Sequence, residues 1–149
     1  MILICYGTRP EWIKLKPIIE CFRGNIDFKV LYTGQHEHIG EFYHDYSVKI
    51  KKRKCRLNNI ISSVLDFELK ESPEYVLVQG DTASTFATAL WAYNKKIKII
   101  YLEAGLRTYD LEIPYPEESY RQMISRISSL NFCVTENNKV NLINEKCSG

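Results

Sequence analysis

The sequence predicts a doubly wound α/β fold, one parallel β-sheet with helices on both faces. Short, continuous apolar runs end at glycine turns, as buried parallel strands do. Segments with apolar residues at helical spacing separate these runs, so strands and helices alternate along the chain. The length of 149 residues, 45% of them hydrophobic and 26% charged, suits one soluble domain (1–149) with one substantial core.

The first predicted strand is Ile2 to Tyr6, bounded by Gly7. Pro10 stands where a helix starts, and Trp12, Ile13, Leu15, Ile18, Ile19 and Phe22 give that helix an apolar side, closed by Gly24-Asn25. Phe28 to Tyr32 is a second strand, followed by the turn Thr33-Gly34-Gln35-His36. A short helix is expected over 38–46 and a longer one over 58–71, with a basic, solvated connector between them. Then come a strand over 75–78, an alanine-rich helix over 82–93 and a strand over 97–102. Pro114 and Pro116 introduce a helix over 117–130, followed by a strand over 132–134 and a helix over 137–145.

Several function classes are disfavoured. A formal charge of +2 gives no argument for nucleic acid or an anionic membrane, and the opening apolar run is too short for a signal peptide or a membrane span. The five cysteines are scattered without a C-x-x-C pair, a pattern that suits a reducing cytoplasm. Cys5 and Cys133 sit in apolar runs and read as small buried hydrophobes. The histidines have no metal-binding frame, and no dinucleotide or NTPase glycine loop occurs, so neither metal nor cofactor is expected.

In such a sheet, ligands bind beyond the carboxyl ends of the strands, which singles out the turns at Gly7, Gly34, Gly80 and Gly105. A glycine turn feeding a helix N-terminus is a natural anion site, and Arg9 and Lys14 add cations for a phosphate there. Asp81, Glu103 and Glu117 fall near the same rim, where crowded carboxylates suit proton transfer. Each also has a plainer reading. Asp81 could cap the following helix, Glu103 could pair with Arg107, and Glu117 could complement a helix dipole.

Taken in order, Gly7-Thr8-Arg9-Pro10-Glu11 with Lys14, Thr33-Gly34-Gln35-His36, Gly80-Asp81-Thr82, Glu103-Ala104-Gly105-Leu106-Arg107-Thr108 and Pro116-Glu117-Glu118 with Arg121 resemble the non-hydrolysing UDP-N-acetylglucosamine 2-epimerases. The resemblance implies the N-terminal Rossmann-like half of a two-domain, glycosyltransferase-B-like fold, with a C-terminal nucleotide-binding domain absent from this chain. It implies interconversion of UDP-GlcNAc and UDP-ManNAc at C2 of the sugar, by elimination and re-addition of UDP. Carried over by motif, Arg9, Lys14, Asp81 and Glu103 would contact substrate, and Asp81, Glu103 and Glu117 would form the acid–base set. Gln35 and His36 match a region that binds an activating UDP-GlcNAc in some bacterial members. A separate polypeptide supplying the second domain is the partner implied, and a homodimer is in keeping with the family. The alternatives are a non-catalytic module binding a nucleotide sugar or a protein partner, a truncated remnant, or a 2-epimerase for UDP-2,3-diacetamido sugars.

Overall fold

The computed structural model describes residues 1–36, 42–51 and 54–147. Six strands, β1 (Ile2–Tyr6), β2 (Phe28–Tyr32), β3 (Tyr46–Ser47), β4 (Tyr75–Gln79), β5 (Lys98–Ala104) and β6 (Leu130–Cys133), form one parallel sheet in the order β3-β2-β1-β4-β5-β6. Five helices connect them: α1 (Arg9–Phe22), α2 (Arg56–Leu65), α3 (Ala83–Asn94), α4 (Glu117–Ile127) and α5 (Glu136–Asn144). The strand order reverses between β1 and β4, which opens a crevice between their carboxyl ends.

Side-chain alternation assigns the two faces. Ile4 and Tyr6 of β1, Val30 of β2 and Leu77 of β4 pack under α1 with Trp12, Leu15 and Ile19. Leu3 and Cys5 of β1, Val76 and Val78 of β4, and Ile99 and Tyr101 of β5 point into a larger layer with Ile60, Ala87, Trp91 and Ile124. Each layer therefore holds one of the protein's two tryptophans. On the α1 side the sheet is less covered toward β6: Leu130 and Phe132 are exposed, in register with Ile100 and Leu102. Cys5 is buried, and that burial pushes its thiol pKa up, as suits a small hydrophobe. Cys133 is half-buried rather than buried. Among the described residues no helix is long and apolar enough to cross a membrane.

Several expectations need correction, the helix expected over 117–130 and the strand over 132–134 among them, since α4 ends at Ile127 and β6 already opens at Leu130. The helix expected over 38–46 is not formed over its described part: residues 42–45 are irregular and Tyr46 opens β3, while 37–41 lie outside the described residues. Helix α2 ends at Leu65 instead of continuing to Glu71, because the Phe67 carbonyl accepts the Trp91 indole N–H at 2.9 Å and leaves the helical path. The connector is not wholly a solvated basic run either. Arg56 opens α2 and its guanidinium donates to the Gln35 carbonyl at 2.8 Å, while Lys51 pairs with Asp66. Lys52 and Arg53 are outside the described residues.

Candidate active site

A crevice of about 300 Å³ opens at the reversal point, lined by Thr8 before α1, Pro10, Glu11 and Lys14 at the start of α1, Gln35 and His36 after β2, Gln79 at the end of β4, the β4–α3 turn (Gly80, Asp81, Thr82) and Glu103 of β5. Its narrowness starts at Gly7. A Cβ there would stand 2.1 Å from the Ser84 hydroxyl and 2.2 Å from that of Thr33, two groups that bond each other at 2.6 Å. Glycine is therefore required for close approach of three connections. Gly80 is needed for its backbone instead, at φ +80°.

Helix α1 begins with a capping box: Thr8 accepts from Glu11 N–H, and the Glu11 carboxylate accepts from Gly7 N–H at 2.6 Å and Thr8 N–H at 3.0 Å. The other Glu11 oxygen accepts from the hydroxyls of Thr82 (2.6 Å) and Thr85 (3.1 Å), so one buried carboxylate joins both turns flanking the crevice. Burial pushes its pKa above the ordinary value, outweighing the four hydrogen bonds that lower it. The expected backbone anion site is thereby corrected. Gly7 and Thr8 N–H are taken by Glu11, Arg9 N–H reaches His36 Nδ1 at 3.4 Å, and Ser84 N–H in the first turn of α3 is taken by Gln35 Oε1 at 2.9 Å.

Asp81 does not cap α3. Thr82 is the cap, its hydroxyl accepting from Thr85 N–H, and Asp81 lies one residue outside. Its Oδ2 instead accepts from Arg121 Nε at 2.8 Å and lies 2.6 Å from Nη2. Glu103 does not pair with Arg107, which forms a two-pronged bridge to Glu145. Glu103 Oε1 bonds Lys14 Nζ at 2.5 Å, and Oε2 accepts from Gln79 Nε2. Glu103 adopts φ 64° at a register shift between Leu102 and Ala104, a bulge that turns its side chain out of the alternating pattern.

Glu117 begins α4 partly buried and does not line the crevice; nor does Arg9, whose side chain is exposed. Glu117 shares a helix face with Arg121, four residues on, about 6 Å along the axis. The next residue, Glu118, is fully buried and accepts from Thr108 N–H, Tyr109 N–H, Gln122 and Arg121. Burial pushes its pKa up, but these bonds together hold it below the ordinary value.

The structure thus gathers Lys14, Gln35, His36, Asp81 and Glu103 at one crevice, and leaves Arg9 and Glu117 outside its lining. Sequence reasoning gave no role to Glu11, Gln79 or Arg121. For Glu11 the signal was present, as Thr8 followed three residues later by a glutamate is the capping-box signature.

A parallel sheet with a polar crevice at its strand-order reversal defines a Rossmann-like ligand-binding domain. Residues 22–149 match the model of the UDP-N-acetylglucosamine 2-epimerase family, and the chain belongs to that family. It is 42% identical to a UDP-N-acetylglucosamine 2-epimerase of Neisseria meningitidis serogroup A, over 97% of this chain and 42% of the relative. A Salmonella borreze enzyme of the same description is 37% identical with the same coverage. Among solved structures, the Neisseria meningitidis UDP-GlcNAc 2-epimerase bound to UDP-GlcNAc superposes with a TM-score of 0.86 at 38% identity, over 97% of this chain and 43% of that one. The Methanocaldococcus jannaschii enzyme in complex with UDP-GlcNAc and UDP gives 0.85 at 36% identity, again over 97% and 43%. The chain spans about 42% of the length of the curated relatives it matches.

Proposed function

We propose that this chain forms the sugar-side half of a UDP-GlcNAc 2-epimerase site, completed by a second domain that holds the nucleotide. The observation that carries the reading is the meeting of Asp81, Glu103 and Lys14 at a single crevice on the reversal point of the sheet. The reaction breaks the C2–H bond and moves its electron pair into a C1–C2 double bond as UDP leaves C1. UDP then returns while a proton is delivered to the other face of C2. Asp81 and Glu103 are the carboxylates at the sugar, with Glu117 as the third member of the acid–base set. Lys14 is the cation that exchanges its Glu103 partner for substrate oxygen, with Arg9 at the entrance.

The second domain is needed for a physical reason. The Gly7, Thr8, Arg9 and Ser84 N–H groups are already occupied by Glu11, His36 and Gln35, so the main diphosphate contacts come from elsewhere. Closure over the crevice also excludes water while the glucal intermediate waits for UDP. Gln35, tied to Arg56 and Ser84, and His36, whose Nδ1 accepts from Arg9 N–H, make the activator region. The reaction belongs in the cytoplasm, and a homodimer is the assembly in keeping with it.

The test follows epimerisation of UDP-GlcNAc in D₂O, reading deuterium at C2, with and without a complementing C-terminal domain. No turnover is expected from the chain alone, and turnover with the domain present. Asp81→Asn and Glu103→Gln are expected to lower that rate by roughly a hundredfold each. Unchanged rates in both would remove them from the acid–base set.

A further inference from the structure

We propose that Arg121 is a positioning residue of this site, setting the Asp81 carboxylate against the helix that carries Glu117. The proposal rests on the reading of Asp81 as an acid–base group.

Arg121 is 8% exposed, and its guanidinium is divided between two acids. Nε and Nη2 both reach Oδ2 of Asp81, at 2.8 and 2.6 Å, while Nη1 reaches Oε2 of Glu118 at 3.1 Å. Both contacts to Asp81 land on one oxygen. Oδ1 has no hydrogen-bond partner among the described residues, although Asp81 lines the crevice. The arrangement therefore fixes the carboxylate by one oxygen and leaves the other for a ligand.

The far end of the network is equally fixed. Glu118 is fully buried and accepts from the Thr108 and Tyr109 N–H groups at 3.1 and 3.2 Å, which anchors the β5–α4 connection. Arg121 thus joins the β4–α3 turn to that connection through α4, whose first residue is Glu117. A planar fork can hold two acids in a fixed relation, which a flexible ammonium cannot do. Displacement of a reacting group by about an ångström can cost around a hundredfold in rate.

The experiment measures kcat and KM of this chain assembled with the complementing domain, for Arg121→Lys, Arg121→Gln, Asp81→Asn and the double variant Asp81→Asn/Arg121→Gln. Arg121→Lys is expected to lower kcat about tenfold and Arg121→Gln about a hundredfold, with KM within about threefold. In the Asp81→Asn background, Arg121→Gln is expected to add less than about threefold, since it acts through a group already removed. Effects that multiply across the two sites, or Arg121→Lys at the unsubstituted rate, would overturn the proposal. If Arg121→Gln does not fold, Arg121→Lys takes its place in the same cycle. Failure of the underlying reading looks different: an inert unsubstituted assembly, or normal turnover by Asp81→Asn, which overturns both.

Discussion

Two buried glutamates flank the crevice and solve the same problem in opposite ways. Glu11, between α1 and α3, has four neutral donors and no cation, and its pKa is raised. Glu118, in α4, has two backbone N–H groups, Gln122 and a guanidinium, and its pKa is lowered although its side chain is fully buried. Desolvation pushes both upward, so the donor set decides the sign. The difference teaches how the site is built. The neutral joint holds two turns together, whereas the charged one also reaches across to orient Asp81.

The largest effect that can break this contrast is truncation of the charged joint. Glu118→Ala leaves Arg121 buried beside Asp81 alone and is expected to cost about 4 kcal/mol in urea unfolding. Glu11→Ala leaves the Gly7 and Thr8 N–H groups without their acceptor, while the Thr82 and Thr85 hydroxyls keep each other and the Gln79 carbonyl, for about 3 kcal/mol by the same measurement. If Glu11→Ala proves the costlier, the ranking of the two joints is wrong.

The pH dependence sharpens the contrast by sign. A carboxyl whose folded pKa is raised contributes stability below its unfolded value, and this is lost as pH climbs through the folded one. Glu11→Gln is therefore expected to flatten a decline in stability on the alkaline side of the ordinary carboxylate range. Glu118, with its pKa lowered, contributes above its unfolded value and loses the contribution as pH falls through the folded one. Glu118→Gln should flatten the acid-side decline instead. Unfolding titrations of the two variants against the unsubstituted chain check both signs, and matching slopes would erase the distinction.

The smallest effect belongs to an acid whose placement costs stability. Glu103 holds φ 64°, so Glu103→Gly is expected to relieve roughly 1 kcal/mol of backbone strain, offset by loss of the Lys14 and Gln79 contacts. A net change within about 0.5 kcal/mol, measured by thermal unfolding, is the expected result.

Most of the fold was legible because its signals are local. Apolar runs leading into glycine turns gave four of the six strands, a short apolar run near Phe132 gave β6, and proline marked the helix start at Pro10. Strand β3 was not legible: two residues, Tyr46 and Ser47, pair with Leu31 and Tyr32, and nothing in their own neighbourhood demands it. At the site, the turns that hold Lys14, Asp81 and Glu103 followed from the fold rule. Their partners did not. Arg121 meets Asp81 across 40 residues and Lys14 meets Glu103 across 89, so spacing along the chain carries no trace of either pair. The Arg107–Glu103 pair suggested by proximity in sequence gave way to Arg107–Glu145, while Glu103 meets Lys14 and Gln79.

The division of the two tryptophans between the layers has a practical meaning. Trp12, on α1, packs in the layer under that helix, and Trp91 donates to Phe67 in the opposite layer. Replacing either one by phenylalanine leaves a single indole whose fluorescence reports on one side of the sheet. Coincident emission transitions from the two variants would mean that both layers melt as one cooperative unit, while an earlier transition for Trp12 would mark the α1 layer as the weaker half.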